Sequence, residues 1–340
     1  MLARSGAPAE RVLIYRLGSL GDTVAALPCF HLIERAFPAA ERIVLTNVPV
    51  SSKAAALETI LGESGLIHRA IPYPLHMRNP RELMRLAATI RAEGTKTMVY
   101  LAASRGLRAA RRDVAFFRFA GVRTIIGAPT SRDLQFNRVA ADGTVERESA
   151  RLARTLERLG QIDLADRSWW DLRLSENERA RGSAVLDPLG GTRFVAVNMG
   201  GKAAEKDWGE DNWHATLALL SQQYPSTGLV FIGAREDSER AGRLAGSWSS
   251  SKILNLCGAV SPRESAAVLE HAMLFIGHDS GPLHLADAVG APAVGLFGDY
   301  NRPEMWHPSG ATTRIIHRMQ GLQTITPDDV RDACLAVAPA

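Results

Sequence analysis

The stretch GHDSGPLHLADAVGAPAVGLFG, residues 277–298, carries the residue types of an anion-binding site. A predicted strand ends there, and a polar turn leads into a helix whose first amides can bind an anion. Ser280 adds a hydroxyl and Gly281 permits close approach. Asp279 could accept sugar hydroxyls, and His284 could donate to a phosphate oxygen. The alternative is that Asp279 or Ser280 only caps the helix and that His284 is a surface histidine. The apolar runs on both sides of this polar cluster favour the anion-binding site instead.

The stretch RLGSLGDTVAALP, residues 16–28, follows the first apolar segment and places two glycines and an acid in a turn. Gly18 and Gly21 allow the tight turn and the approach of a ligand to the backbone. Asp22 would then stand at the carboxyl edge of a strand, facing a cleft. The local sequence favours a plain helix N-cap for this aspartate, and the full dinucleotide fingerprint is missing.

Two further stretches in the second half follow apolar segments in the same way. After the turn at Gly200 and Gly201, Lys202 and Lys206 precede a predicted helix, where a lysine could neutralise a diphosphate leaving group. Solvated loop lysines are an equal alternative. Glu236 and Asp237 stand just past another strand, where they could hold ribose hydroxyls, although plain acids at a helix N-terminus fit the local sequence better.

The elements that must position these residues alternate as short apolar segments and amphipathic stretches, which is typical of parallel α/β sheets. Predicted strands lie at 11–15, 42–47, 66–71, 97–102, 123–127, 194–200, 228–233, 252–256, 272–277 and 291–298. Helix starts are marked by Asn79 with Pro80 and by Ser261 with Glu264. The expected fold class is α/β, with two doubly wound, Rossmann-like domains facing each other across a cleft.

Composition limits the classes of protein that fit. The chain has 340 residues, enough for two domains, and no window approaches the roughly 18 apolar residues of a membrane span. Three widely spaced cysteines (Cys29, Cys257 and Cys334) argue against a disulfide framework or a zinc site. Residues 1–170 hold 25 Lys and Arg against 16 Asp and Glu, whereas the remainder holds 15 (40 − 25) against 20 (36 − 16). A basic first half suggests an anionic partner, unless these arginines are simply solvated.

Together these stretches resemble glycosyltransferase family 9, the ADP-heptose:lipopolysaccharide heptosyltransferases and their relatives. The family pattern of GD followed by LP is matched by Gly21-Asp22 and Leu27-Pro28. Its later pattern is matched by Asp279-Ser280-Gly281, His284-Leu285-Ala286 and PAVGLFG, with Lys206-Asp207-Trp208 lying between. Departures are Ser280 for threonine, Gly209 for proline, Asp299-Tyr300 after LFG, and Gly200-Gly201-Lys202 where the heptosyltransferases have a hydroxyl pair.

The resemblance implies a GT-B architecture and an inverting glycosyltransferase that needs no metal and no cofactor beyond its nucleotide-sugar co-substrate, with an ADP-sugar expected. It implies that Asp22 is the general base and that Lys206 holds the diphosphate in place of a metal. The donor residues that it implies are Gly200, Gly201, Lys206, Glu236, Asp279, Ser280, Gly281 and His284.

The resemblance places the acceptor, an anionic glycolipid or glycan, on the basic first domain. The residues expected to bind it are Gly18, Ser19, Arg105, Arg108, Arg111 and Arg112. The expected divisions of the chain are an acceptor domain at 1–170, a linker region at 171–192, a nucleotide-sugar domain at 193–325 and a final helix at 326–340 packing back on the first domain. We expect a cytoplasmic protein in contact with the inner face of the membrane, and no nucleic-acid partner.

Two other functions remain open on the same scaffold. One is a catalytically silent nucleotide-sugar-binding protein, which the presence of Asp22, Lys206 and His284 argues against. The other is a nucleotide-sugar epimerase, which would not need a basic acceptor face. A dehydrogenase fits least, because the glycine-rich turn lacks the fingerprint and its partner acid.

Overall fold

The computed structural model describes residues 10–47, 55–73, 79–201 and 204–339. Over these ranges the chain forms one parallel sheet in each half, and the strand directions and crossovers are those of doubly wound α/β domains. The predicted fold class is thereby confirmed.

In the described part of the first half the strand order is β3-β2-β1-β4-β5. The strands are β1 (Arg11–Tyr15), β2 (Glu41–Asn47), β3 (Arg69–Tyr73), β4 (Thr97–Tyr100) and β5 (Thr124–Ile126). The helices are α1 (Leu20–Ala25), α2 (Leu27–Ala36), α3 (Glu58–Leu61), α4 (Pro80–Ala92), α5 (Leu107–Phe119), α6 (Arg132–Gln135) and α7 (Glu148–Thr155). The order reverses beside β1, so the carboxyl end of β1 is a switch point, where ligands bind in such sheets.

In the second half the strand order over the described residues is β11-β10-β9-β6-β7-β8. The strands are β6 (Phe194–Asn198), β7 (Gly228–Phe231), β8 (Ile253–Asn255), β9 (Leu274–His278), β10 (Ala293–Phe297) and β11 (Thr313–His317). The helices are α8 (Glu176–Ala184), α9 (Glu210–Gln223), α10 (Ser238–Leu244), α11 (Pro262–Leu269), α12 (Gly281–Ala288) and α13 (Pro327–Val337). The reversal here falls between β6 and β9.

One apolar core joins the two domains. It contains Val12 and Ile14 of β1 together with Ala196 of β6 and Phe275 of β9, all fully buried. Separate clusters cover the other face of each sheet, with α4 and α5 packed on the first sheet and α9 and α13 on the second. The layer formed by α4 and α5 is therefore the outer layer of the first domain.

Apart from differences of one or two residues at strand ends, two strands depart from the sequence prediction. β3 begins at Arg69 rather than at residue 66, because the side chain of Arg42 binds the carbonyl oxygens of Gly65 and Leu66 and fixes this segment outside the ladder. β11 was not predicted, since its edge position leaves only Ile316 buried and gives the segment no continuous apolar run.

The expectation that the final helix packs back on the first domain is wrong for the described residues. α13 contacts α9, β10 and β11 of the second domain. Val330 and Cys334 are fully buried in the outer core of that domain. The chain around the helix is also anchored there, because Trp208 Nε1 donates to the Ile325 oxygen at 2.9 Å and the Tyr224 hydroxyl donates to the Ala338 oxygen at 2.6 Å.

Candidate active site

The N-termini of α1 and α12 meet where the two domains join. A Cβ atom on Gly21 would lie 2.9 Å from Cδ2 of His284, and one on Gly281 would lie 2.6 Å from Cδ2 of Leu20. Side-chain packing does not tolerate such separations, so each glycine is needed for the two helices to touch. The contact brings the switch points of both sheets to the same space.

A cleft of about 1040 Å³ opens there, beyond the carboxyl ends of both sheets. Its volume matches or exceeds that of most small-molecule sites, so it has room for more than one small ligand. The residues selected from the sequence that line it are Ser19, Asp22, Gly200, Gly201, Lys206, Glu236, Asp279, Ser280, Gly281 and His284.

Asp22 is held rigidly on the first-domain wall of the cleft. It is the third residue of α1, and the N-cap that local sequence assigned to it is occupied by Ser19. Ser19 donates to Oδ2 of Asp22 from its amide (2.6 Å) and from its hydroxyl (2.7 Å). Gly18 makes room, since a Cβ there would lie 2.6 Å from Cβ of Asp22. The buried guanidinium of Arg16 donates to the backbone oxygen of Asp22 and so holds the turn that carries this carboxylate.

Lys206 and Asp279 form an ion pair on the second-domain wall. Nζ of Lys206 lies 2.5 Å from Oδ2 of Asp279, and the same oxygen accepts from Nδ2 of Asn301 at 2.5 Å. The ammonium also lies 4.6 Å from the centre of the Tyr300 ring, a cation–π contact. Two residues of the loop after β10 therefore clasp both members of the pair.

The start of α12 is fixed by a hydrogen-bond chain to the neighbouring strands. The Ser280 hydroxyl donates to Oδ1 of Asn198 at 2.8 Å, and Nδ2 of Asn198 donates to the Ile232 oxygen at 2.9 Å. Ser280 is the N-cap of α12, an eight-residue helix whose first residues, Gly281 and Pro282, line the cleft. This end of the helix can bind an anion.

His284 lies in the first turn of α12 and is buried against α1. Burial lowers the pKa of His284 below its usual value, although the carboxylates of Asp279, Asp287 and Asp22 act in the opposite direction. The ring is therefore neutral around pH 7 and can donate one hydrogen bond into the cleft.

The wall of the cleft near β7 contains Glu236 and Asp237, the two acids that follow this strand. Asp237 accepts from the Ala234 amide at 2.9 Å, and a Cβ on Gly200 would lie 2.2 Å from its Oδ2. Gly200 therefore lets the two segments close on each other, and Asp237 is a supporting residue. Glu236 is exposed and lines the cleft. Lys202 lies outside the described residues.

The structure does not bring the predicted arginine cluster to the cleft lining. Arg105 donates to the Tyr15 hydroxyl at 2.8 Å and pairs with the buried Asp113, so it ties the start of α5 to the end of β1. Arg108, Arg111 and Arg112 are exposed on the outer layer of the first domain. Their predicted role in acceptor binding stays a prediction, as does that of Gly18.

Sequence reasoning missed residues that line or support the site. Tyr300, Asn301 and Trp306 line the cleft from the loop after β10, where the sequence departs from the family pattern. Asn198, the last residue of β6, orients Ser280. The signal available for Asn198 was a polar residue at the end of an apolar strand, the same signal that identified Asp279.

The described residues contain neither a cluster suited to a metal ion nor a helix suited to crossing a membrane. Among them, no group of three or more His, Cys, Asp or Glu side chains is placed to hold a metal ion. No helix in the same ranges has the length and apolar character that crossing a membrane requires.

Residues 115–326 match the family model for glycosyltransferase family 9 (heptosyltransferase). Lipopolysaccharide heptosyltransferase 3 of Escherichia coli K12 is 30% identical over 124 residues, which is 36% of this chain and 36% of that protein. The match thus spans about a third of the length of this curated relative.

Solved structures show the same fold over nearly the whole chain. The glycosyl transferase family 9 structure from Veillonella parvula has a TM-score of 0.75 at 19% identity, with 97% of each chain covered. E. coli heptosyltransferase WaaC with ADP-2-deoxy-2-fluoro heptose has a TM-score of 0.65 at 19% identity, covering 95% of this chain and 98% of that one. The resemblance inferred from the motifs is confirmed, and the chain belongs to glycosyltransferase family 9.

Proposed function

We propose that the protein is an inverting glycosyltransferase of lipopolysaccharide biosynthesis. It would move a heptose or a related sugar from a nucleoside-diphosphate sugar to a lipopolysaccharide core or another cell-envelope glycan. The observation that carries this proposal is the placement of the Asp22 carboxylate and the Lys206–Asp279 pair on different domains of one cleft. The volume of the cleft suits two substrates.

The donor is assigned to the second-domain wall. Lys206 and the first amides of α12 would bind the diphosphate, since charge-assisted donors and a helix N-terminus favour anions. The Ser280 hydroxyl would join them by turning its proton from Asn198 to a phosphate oxygen. Asp279 would orient the sugar, and Glu236 the ribose. An ADP-sugar is the preferred donor, because the similar E. coli heptosyltransferase was solved with an ADP-heptose analogue.

In the proposed reaction an acceptor hydroxyl oxygen bonds to the anomeric carbon as the bond from that carbon to the diphosphate oxygen breaks. The hydroxyl proton passes to Asp22, and the bonding electrons leave with the nucleoside diphosphate. Both donors of Ser19 bind Oδ2 of Asp22, so we assign Oδ1 to receive the proton. A single displacement of this kind inverts the anomeric configuration.

We propose that no resident metal or cofactor takes part. Lys206 and the α12 amides are preorganised to stabilise the charge that develops on the leaving diphosphate. Transfer should therefore persist in excess EDTA, and a loss that Mg²⁺ restores would contradict this.

We place the acceptor, an anionic glycolipid or glycan, at the inner face of the cytoplasmic membrane and the enzyme in the cytoplasm. Support comes from the balance of charge, since residues 1–170 carry nine more basic than acidic side chains (25 − 16). Such a surface attracts anionic partners.

The test of the base is Asp22→Asn, which keeps the size of the side chain and removes its proton affinity. A general base contributes about 10²–10⁴-fold to a rate, so kcat should fall by that order while ADP binding is retained. The matched control is Asp211→Asn, an exposed carboxylate in the first turn of α9. Retained turnover in Asp22→Asn would refute the assignment.

The test of the donor is a thermal-shift titration with ADP, UDP, GDP, CDP and dTDP. A ligand at about 100 times its dissociation constant stabilises the folded protein by about 2.7 kcal/mol. We expect ADP to give the largest shift. A shift without any transfer to a glycan acceptor would favour the silent binding protein, and interconversion of a free nucleotide sugar would favour the epimerase.

A further inference from the structure

The outer layer of the first domain is an arginine-rich surface that the cleft does not explain. Helices α4 and α5 together carry seven arginines and two acids, Glu82 and Asp113. Asp113 is buried and paired with Arg105, so one exposed acid remains. The net charge of the two helices is +5 (7 − 2), which is more than the +4 of the whole chain.

Most of these arginines point to solvent. Arg81, Arg85, Arg108, Arg111 and Arg118 are exposed. For these five, the described part of the chain contains no ion pair of the kind that neutralises Arg105. Unpaired like charges on neighbouring helices destabilise the fold slightly, so a partner of opposite charge would relieve the repulsion.

Two large apolar side chains are exposed within the same layer. Met84 of α4 is 53% exposed and Phe119 of α5 is 52% exposed. The guanidinium of Arg91 lies 4.7 Å from the centre of the Phe119 ring and ties the ends of the two helices together. Basic side chains mixed with exposed Phe and Met fit the boundary between headgroups and acyl chains of a bilayer.

The position of the layer suits a bilayer as partner. α4 and α5 lie on the face of the first sheet opposite the core that joins the domains, so they are on the side of this sheet away from that core. The start of α5 is tied through Arg105 to Tyr15, the last residue of β1. The basic surface therefore begins at the edge of the sheet where the turn carrying Asp22 also begins.

We propose that the exposed side of α4 and α5 docks on an anionic lipid bilayer, with the arginines on lipid phosphates and with Met84 and Phe119 at the boundary with the acyl chains. This inference rests on the proposed function, because an acceptor held in the membrane is the reason for the enzyme to dock there. It assigns Arg108, Arg111 and Arg112 to the lipid surface, where the sequence had assigned them to the acceptor.

The test is co-sedimentation with vesicles that contain no glycan, made either of phosphatidylcholine alone or of phosphatidylcholine with 30% phosphatidylglycerol. The full chain should bind the anionic vesicles, bind the neutral ones far more weakly, and dissociate as salt is raised. Each basic residue near an anionic bilayer is worth about five-fold in affinity, so Arg85→Glu/Arg111→Glu should weaken binding by at least about 25-fold.

The control is Arg193→Glu/Arg314→Glu, which changes the net charge equally with exposed arginines of the second domain. It should keep most of the binding. The proposal is overturned if the unaltered protein does not bind anionic vesicles, or if both variants lose binding equally. ADP binding and transfer to a delipidated acceptor are measured on the same samples. If ADP binding and transfer are retained while vesicle binding fails, only the docking surface is refuted. If ADP binding and transfer are themselves absent, the proposed function is refuted.

Discussion

Replacing Arg263 should destabilise the protein and loosen the cleft, because this one side chain ties three segments together. Its Nε and Nη2 donate to the two oxygens of Glu178 at 2.5 and 2.9 Å. Nη1 donates to the carbonyls of Ile60 and Leu172 at 3.0 and 2.9 Å, and Nη2 donates to that of Arg173 at 2.8 Å. These bonds use all five guanidinium donors.

Both charged side chains of this pair are only 5% exposed. Arg263→Ala would leave the buried Glu178 carboxylate without its ionic partner, with only the amide and hydroxyl of Ser175 as donors among the described residues. It would also remove the donor that three backbone carbonyls share. Breaking a buried ion pair from one side costs about 3–5 kcal/mol, whereas replacing both partners by apolar residues is often neutral or better. We therefore expect a loss of about 3–5 kcal/mol in the single variant. Arg263→Met/Glu178→Leu should recover part of it, because the unpaired charge is gone while the three carbonyls stay without this donor and α8 loses its capping box.

The free energy of unfolding is measured by urea titration, with ADP affinity measured in parallel. Pro262 and Ser265 beside Arg263 line the cleft, as does Thr59 beside Ile60, so ADP binding should weaken in the single variant. The reasoning is refuted if Arg263→Ala unfolds within about 1 kcal/mol of the unaltered protein, or if the double variant is the less stable of the two.

Three further outcomes follow from the site. Tyr300→Ala should raise the Kd for ADP about two- to five-fold by removing a cation–π contact with Lys206. Titration calorimetry should give Tyr300→Phe the same Kd as the unaltered protein. An equal loss of affinity in both variants would contradict the role of the ring. Gly281→Ala should lower kcat by as much as about 100-fold, since its Cβ would lie within 3.0 Å of Cβ, Cγ and Cδ2 of Leu20. Adding Leu20→Gly, which removes all three of these atoms, should restore turnover, and failure to restore it would contradict the role of this contact. Burial lowers the pKa of His278 to about 4, so the neutral ring contributes roughly 3 kcal/mol of stability above pH 6.5 that is lost as the pH falls toward 4. The stability of His278→Asn should therefore fall less steeply with acid than that of the unaltered protein. Parallel curves of stability against pH for the two proteins would contradict this.

Local signals predicted the parts of the fold that depend on local physics. Asn79 caps α4 through its side chain, and Ser261 with Glu264 forms the predicted capping box of α11. The strand-to-turn signal also selected Asp22 and Asp279, because apolar runs that end in polar residues mark the carboxyl edge of a parallel sheet.

Contacts between distant segments escaped the same reasoning. The pairing of Arg105 with Tyr15 and Asp113 spans up to 90 positions of the sequence, so an arginine that looks free in sequence is in fact a structural tie. Tyr300 and Asn301 reach the site from a loop without periodicity. α13 packs on the second sheet because its apolar residues cover one face of that sheet. No local pattern in the sequence indicates which sheet a terminal helix covers.

The contact between α1 and α12 has a mechanical consequence. Gly21 packs against His284 and Gly281 packs against Leu20 in the lining of the cleft, so a rotation of the domains about this contact would have its pivot beside Asp22. Rotation of the domains about a pivot displaces distant atoms most and adjacent atoms least. A rotation of this kind would widen the mouth of the cleft while Asp22 and the start of α12 stayed nearly in register. Substrates would then exchange at the mouth of the cleft, while the catalytic groups beside the contact would keep their alignment.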